Sequence, residues 1–436
     1  MKEIVSKHFK GGFRGEFRVP SDKSISHRSL LISSQIVGRT YINEILLGED
    51  VLNTAKALKQ LGVDIDDSNR QRFTVDGVGV GGLSKAKDII DMGNSGTGAR
   101  LLMGLVSSYD FNTTITGDES LKNRPMKRVT KHLQNMGVNF SYLIKEDRLP
   151  ITVHGTSNTL PITHTPEVAS AQVKSAILLA GLNTAGITTV VEKIPTRDHT
   201  ERMLEFFGAE IDVSGENISL KGRPYLAHKN GEAEITIPAD PSSAAFLAAS
   251  SLIIPNSHIV LKDVCINPLR IGFYHTLIEM GAKINFLRKR KMLGEEVADI
   301  EVFYSPNLKG ITVSKQKAPS MIDEYPILAV VASFAKGETK MLGLEELRVK
   351  ESDRLLAIYD GLIANGVKAS IEGDNLIVRG GEVIGGGKVQ THLDHRIAMS
   401  FYIMGLASKN PITIDDTSMI ATSFPNFFDY FTNRNI

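Results

Sequence analysis

The sequence predicts an α/β protein built from six similar units, three in each half of the chain, and three observations carry that prediction. An amphipathic segment closing on Gly and then Val or Ala recurs as KALKQLGVDI, KHLQNMGVNF, LEFFGAEI, LIEMGAKI and GLIANGVKA, with the glycine at Gly62, Gly137, Gly208, Gly281 and Gly366. A second kind of segment, rich in small apolar residues, recurs roughly every 72 residues with Ser26, Thr97, Gln172, Ala244, Tyr325 and Arg396 in register. Finally, RVPSDKSISH and TIPADPSSAA stand half a chain apart, Pro20 matching Pro238, Asp22 matching Asp240 and Ser24 matching Ser242.

The elements follow in the same order through each unit. Unit one opens with SISHRSLLIS and leads to KALKQLGVDI. Unit two runs from GTGARLLMGL through KHLQNMGVNF to the strand ITVHG, and unit three from AQVKSAILLA through LEFFGAEI to EITIPA. Unit four joins SSAAFLAASS to LIEMGAKI, unit five EYPILAVVAS to GLIANGVKA and NLIVRG, and unit six opens with HRIAMSFYIM. Apolar residues at helical spacing before each glycine predict an amphipathic helix, the glycine its C-terminal cap, and the alternation after it a short strand. The small-residue segments lack a charged face along most of their length, which predicts helices buried on nearly all sides. Each of the six units is therefore expected to supply one buried helix, one amphipathic helix and strands. The two Pro-led segments predict paired crossings between two halves, 22–238 and 1–21 with 239–436, with a small ligand expected in a cleft between them.

Composition narrows the function. With 50 Lys and Arg against 49 Asp and Glu, the net charge of +1 recruits neither nucleic acid nor an anionic membrane. No Trp and 6% aromatic residues leave little to stack on single-stranded bases. The lone Cys265 forms no intrachain disulfide and no cysteine-rich metal site, so a reducing, cytoplasmic location is expected. Residues 1–20 hold no signal-peptide apolar run, and the longest apolar stretch, Pro326–Ala335, is half the length of a membrane span. GVGVGG at 77–82 and the glycines at 385–387 lack the lysine of a phosphate loop and read as turns. RKRK at 288–291 reads as a solvated hairpin tip. His27, His199 and His395 show no metal-ligand spacing, and neither metal nor cofactor is expected.

What separates the buried helices from plain core is the set of residues at their N-termini. These are Lys23, Ser24 and Arg28 in unit one, Asn94, Ser95, Gly96, Thr97 and Arg100 in unit two, and Ser170, Gln172 and Lys174 in unit three. Unit five has Asp323 and Glu324, and unit six Asp394, His395 and Arg396. Capping accounts for each Ser, Asn or Asp taken singly. It does not account for Arg or Lys in the first turn of units one, two, three and six, where a cation opposes the helix dipole; several such ends aimed at one place make an anion site. Arg124, held extended by Pro125, adds a further guanidinium. The run GLEELRVKESDRLLA, with Arg348, Lys350 and Arg354 among Glu345, Glu346, Glu351 and Asp353, suits either a solvated helix face or an active-site strand and turn.

The segments PSDKSISHRSLL, GNSGTGARLL, GDESLKNRPMKRV, SAQVKSAILLAG, IDEYPILAVVASFA, LRVKESDRL and LDHRIAMSF, spread in this order from about residue 14 to residue 430, resemble the 5-enolpyruvylshikimate-3-phosphate synthases. These are the 3-phosphoshikimate 1-carboxyvinyltransferases of the shikimate pathway to chorismate and the aromatic amino acids. The resemblance implies a two-lobed inside-out α/β barrel, three repeats per lobe, that closes on phosphoenolpyruvate and shikimate 3-phosphate without a metal or cofactor and works as a monomer. It implies that Lys23, Ser24, Arg28, Ser170, Gln172, Asp323 and Lys350 hold shikimate 3-phosphate. Lys23, Gly96, Arg124, Gln172, Arg354 and Arg396 are implied around phosphoenolpyruvate, with Arg100 in support, and Asp323, Glu351 and Lys23 as the groups that move protons or stabilise charge. SAQVKSA, TRDHTERML and SFPNFF resemble the class II branch, in which Arg197 is a further ligand of the substrate phosphate. The chain departs from the enterobacterial pattern at Glu346, where that branch has Asn, and at Thr422, where it has Lys, so one cationic contact to phosphoenolpyruvate is missing or supplied otherwise. Gly96, which is Ala in some herbicide-tolerant class II members, implies a target of glyphosate. Two rival readings are a sister transferase acting on UDP-N-acetylglucosamine and a non-catalytic repeat scaffold. The first typically has a loop cysteine where Asp118–Met126 has none, and the second requires none of Lys23, Arg124, Asp323 or Arg396.

Overall fold

In the computed structural model, which describes residues 2–167 and 169–432, the sequence repeat is a repeat of structure. Its most regular feature is the end of the amphipathic helix. The helices Glu49–Gln60, Lys127–Asn135, His199–Phe206, Gly272–Glu279 and Arg354–Ala364 are each followed by a glycine at φ between +78° and +95°, namely Gly62, Gly137, Gly208, Gly281 and Gly366. The next residue's N–H donates back to the carbonyl of a leucine four positions before the glycine: Val63 to Leu58, Val138 to Leu133, Ala209 to Leu204, Ala282 to Leu277 and Val367 to Leu362, at 2.9–3.3 Å. This is the Schellman closure, and in all five the leucine and the residue after the glycine are both buried. The chain then enters a hairpin strand, as at Asp64–Asp66 and Lys368–Glu372.

Each hairpin returns antiparallel along the strand that follows the buried helix, and a further edge strand lies parallel to that one. In unit two Asn112–Thr116 pairs antiparallel with Ile151–His154 and parallel with Ile90–Asp91. Two sheets draw the parallel strand from far along the chain. Val37–Asn43 takes Ala227–Thr236, and His258–Cys265 takes Arg14–Phe17. Those borrowed strands run directly into the Pro-led segments. The chain divides into two compact units: Ser21–Ile237 with Met292–Glu295, and the residues up to Pro20 with Pro238–Lys291 and Glu296 onwards.

Within Ser21–Ile237 the helix Gly96–Val106 packs along Ala171–Leu182 so closely that a Cβ at Gly104 would lie 2.3 Å from the carbonyl oxygen of Ala176. In the other unit Tyr325–Phe334 packs on both Pro241–Ile253, all of whose residues are buried, and His395–Ala407. Small residues are what such all-round contact requires.

Two expectations are corrected. Among the described residues the sixth unit has no amphipathic helix: Ile412–Ile414 pairs with Ile4–Ser6 and Lys388–Val389, and only the 3-10 turn Ser418–Thr422 and the four-residue helix Asp429–Thr432 follow. Phe427 and Phe431 pack on Tyr402 with ring centroids 5.5 and 5.7 Å away, so aromatic rings cover a face that an amphipathic helix covers elsewhere. RKRK is not the hairpin tip but the end of the strand Ile284–Met292, where Arg288 and Arg290 both meet Asp299. No helix among the described residues is long and apolar enough to cross a membrane.

Gly137→Ala meets no atom within 4 Å but must hold a left-handed φ, and is expected to cost ~1 kcal/mol. Gly104→Ala, driven into the Ala176 backbone, is expected to cost ~3 kcal/mol or more. Urea unfolding midpoints order the two, and equal shifts would contradict the packing described.

Candidate functional site

In the unit Ser21–Ile237, Asp22 caps the helix Lys23–Ser33 by accepting from the Ile25 N–H at 2.9 Å. Arg28, one turn in and buried, is held as a fixed fork: Nε donates to Thr200 Oγ1 at 2.7 Å, Nη2 to Ser175 Oγ at 2.8 Å and Nη1 to the Ser24 carbonyl at 2.9 Å. Lys23 Nζ lies 3.1 Å from Asp50 Oδ2. Ser175 belongs to the helix Ala171–Leu182, which Ser170 precedes as N-cap residue, and Thr200 stands three residues after the half-buried Arg197. Lys23, Ser24, Arg28, Ser170 and Arg197 are thereby tied to one neighbourhood through two helix starts.

The helix Gly96–Val106 starts beside a second group. Ser95 caps it by accepting from the Gly98 N–H at 3.1 Å. Arg100 donates through Nη1 to Gln172 Oε1 at 2.7 Å and through Nη2 to the Pro125 carbonyl at 3.1 Å, while Gln172 Nε2 donates to Thr97 Oγ1 at 2.9 Å. Arg124 donates to Asn94 Oδ1 at 2.6 Å. A Cβ on Gly96 would lie 3.0 Å from Arg124 Nη1 and 3.3 Å from Arg100 Nη1, so glycine is what lets two guanidinium groups approach the helix end. The structure brings Gly96, Arg100, Arg124 and Gln172 together.

In the second unit the centre is Arg354, fully buried at the start of its helix. Its Nε meets Asp394 Oδ2 at 2.7 Å, its Nη1 meets Asp323 Oδ1 at 3.0 Å, and its Nη2 pairs with Glu351. Burial pulls the guanidinium pKa down, but Asp394, Glu351 and Asp323 more than reverse it and hold the pKa raised. Asp394 also caps the helix His395–Ala407, accepting from the Arg396 N–H at 2.9 Å. Arg396 Nη1 donates to the Asp323 carbonyl at 3.2 Å and faces Glu324 at 3.5 Å. Asp323, Glu351, Arg354 and Arg396 thus form one cluster, and Lys350 sits on the adjoining loop.

LRVKESDRL is neither a helix face nor a strand. Glu345–Val349 is a 3-10 turn, and Asp353 caps the helix that Arg354 begins, accepting from the Leu356 N–H at 3.0 Å. Arg348 leaves the cluster for Asp374 at 2.8 Å. Lys174 departs from its expected place at the helix mouth: it is buried between Glu192 at 2.9 Å and Glu201 at 2.7 Å. Thr422 donates to the Met419 carbonyl at 2.7 Å. Ser175, Thr200 and Asp50 escaped the sequence reading; Ser175 is a polar residue on a helix read as core, and Thr200 and Asp50 stand in the first turns of amphipathic helices, where polar residues are ordinary. Asp198, His199 and Glu295 lie close enough to share a cation, but Arg202, 2.7 Å from Asp198 and 3.9 Å from Glu295, supplies that charge.

His27, on the helix of Lys23 and Arg28, is wholly buried with Nδ1 2.8 Å from Thr54 Oγ1. Burial first, then Lys23 and Arg28, lower its pKa to about 3. The native ring is neutral while the unfolded ring titrates at its ordinary value near 6.5, so His27 contributes stability that is complete above that value and lost as pH falls toward 3. The fall in Tm between pH 7 and 4.5 is expected to be shallower in His27→Gln than in the native sequence; parallel curves would remove His27 from acid unfolding.

Comparison with known proteins places this geometry in a family. The family model described as EPSP synthase (3-phosphoshikimate 1-carboxyvinyltransferase) matches residues 10–431. The chain is 50% identical over 423 residues to the 3-phosphoshikimate 1-carboxyvinyltransferase of Methylobacterium radiotolerans, covering 95% of this chain and 93% of the relative. It is 53% identical over 420 residues to that of Rhodopseudomonas palustris, with coverage of 95% and 93%. Among solved structures, EPSP synthase from Acinetobacter baumannii aligns with a TM-score of 0.88 at 40% identity, covering 99% of this chain and 97% of that one. The enolpyruvyl transferase NikO from Streptomyces tendae aligns over 98% of this chain and 96% of that one with a TM-score of 0.74 at 15% identity, a likeness of fold alone. The architecture is the inside-out α/β fold these proteins share.

Proposed function

We infer the reaction from family membership: the chain belongs to the EPSP synthase family, and it transfers the enolpyruvyl group of phosphoenolpyruvate to the 5-hydroxyl of shikimate 3-phosphate, releasing phosphate. It is an enzyme of aromatic biosynthesis. The observation that supports the assignment of roles is that Asp323 and Glu351 share the buried guanidinium of Arg354.

In the proposed course, the 5-hydroxyl oxygen attacks C2 of phosphoenolpyruvate and Asp323 accepts its proton, while Glu351 gives a proton to the C3 methylene. The tetrahedral intermediate then loses phosphate from C2, which takes the proton held by Asp323, and a proton from C3, which returns to Glu351, forming the enol ether of the product. A carboxylate paired with a guanidinium has no proton to give. When an anionic oxygen of phosphoenolpyruvate takes its place on Arg354, Glu351 loses its cation and its protonated form is favoured. Arg124, Arg396, Gln172 and the backbone at Gly96 complete the phosphoenolpyruvate side. Lys23 stabilises charge between the two substrates. Ser24, Arg28, Ser170, Gln172, Arg197, Asp323 and Lys350 hold shikimate 3-phosphate, the arginines matching phosphate with a planar fork. The reading draws groups from both compact units, and a monomer in the cytoplasm suffices for it.

Phosphate release from phosphoenolpyruvate is expected with shikimate 3-phosphate, not with UDP-N-acetylglucosamine, and is expected to be inhibited by glyphosate. Asp323→Ala and Glu351→Gln are each expected to lose ~10²-fold or more in kcat; losses below tenfold in both would overturn the acid–base assignment while leaving the binding groups in place. Gly96→Ala, whose methyl presses on Arg124, is expected to raise KM for phosphoenolpyruvate about tenfold, or ~1.4 kcal/mol, with little change for shikimate 3-phosphate.

A further inference from the structure

One cavity of about 220 Å³, which shares Ser170 alone with the residue clusters above, collects positive charge. Lys127, Arg128, Lys131 and His132, all on the helix Lys127–Asn135, line it together with Ser170. Three features point to an anion as its occupant. Lys127 and Arg128 stand in the first turn of their helix, which holds no acidic residue, while the amides of Met126 and Lys127 are already served by the carboxylate of Asp147. Cations there oppose the dipole and gain nothing from capping. The twelve-residue helix Ala171–Leu182 begins at the cavity with no side-chain cap, because the Ser170 hydroxyl makes no capping bond. His132, 5% exposed, lines the cavity with Nδ1 lacking any hydrogen-bond partner. Burial, then His164 and Lys131, lower its pKa to about 4, so at neutral pH the ring brings an unsatisfied polar atom to the cavity without adding charge. The counterweight is Glu167, whose carboxylate lies 2.5 Å from Lys131 Nζ.

We propose that this cavity binds inorganic phosphate and that its occupancy opposes the binding of shikimate 3-phosphate. The second clause rests on the role given to Ser170 above, since the hydroxyl is common to both ligands. Inorganic phosphate is the leaving group of the same reaction, so the cavity makes the enzyme sensitive to its own product at a place apart from the reacting carbon. Lys131 exchanges Glu167 for the ligand, which leaves Glu167 as a gate on affinity.

The test is a calorimetric titration of inorganic phosphate into the full chain, with phosphoenolpyruvate present to fill its own locus. The double variant Lys127→Ala, Lys131→Ala is expected to bind phosphate about tenfold or more weakly, and Glu167→Gln about threefold more tightly. In steady state at saturating phosphoenolpyruvate, phosphate is expected to inhibit competitively against shikimate 3-phosphate. The double variant is expected to lift that inhibition while both KM values, measured without added phosphate, stay within about twofold of the native sequence. Equal phosphate affinity in the native and double-variant chains overturns the site. A raised KM for shikimate 3-phosphate in the double variant overturns it as well, because the lysines then hold the substrate itself. Inhibition indifferent to shikimate 3-phosphate overturns the second clause. The titration needs no turnover, so a lysine-dependent phosphate isotherm in a chain without transferase activity would separate failure of the reaction assignment from failure of the site.

Discussion

A helix enclosed on all sides has only its ends to offer to a ligand, and this constraint governs the molecule. Its flanks must be small and apolar so that neighbouring backbones approach, as Gly104 does against Ala176. Its C-terminal carbonyls lead into sheet, and its N-terminal amides and dipole are left for polar chemistry. The groups assigned to function accordingly stand at or beside the starts of these helices, Lys23 and Arg28, Gly96 and Arg100, Ser170 and Gln172, Asp323 and Arg396, and Arg354 alone begins an amphipathic one. The amphipathic helices with their left-handed glycines and buried leucines supply the complementary outer closure.

The two clusters use arginine in different ways. Arg28, Arg100 and Arg124 are oriented through hydroxyl, amide and peptide oxygens, from Thr200, Ser175, Gln172, Pro125 and Asn94. Such bonds fix a guanidinium plane without cancelling its charge, which suits the capture of a phosphate. Arg354 is instead held by three carboxylates. A fully buried cation so surrounded is costly to strip of partners, and any anion that displaces one carboxylate changes that group's appetite for protons. On the roles proposed above, positioning belongs to the first arrangement and proton traffic to the second.

Much of this was legible in the sequence because a repeat imposes the same local physics many times. The glycine after each amphipathic helix, the small-residue helices and the cations in their first turns are periodic, and periodicity separates design from coincidence. The sixth unit broke the expectation because its closing partner is aromatic: Phe427 and Phe431 against Tyr402 carry no helical period to read. Lys174 misled for the opposite reason. It has the right type at the right register, yet Glu192 and Glu201, from a loop and the next helix, bury its charge. Ser175 and Thr200 were invisible because a hydroxyl inside a helix usually bonds its own backbone, and only tertiary geometry shows these two turned onto Arg28.

Net charge illustrates the same limit from another side. A total of +1 excluded a polyanionic partner and said nothing of how charge is sorted inside the fold. The sorting is local and opposite in the two clusters. Asp323, Glu324, Glu351 and Asp394 gather with Arg354 and Arg396 in one, while Lys23 and Arg28 share a helix start in the other. A reaction that binds two phosphorylated substrates and moves two protons needs both kinds of surface, and a chain whose charges cancel overall provides each without a field that would attract larger anions.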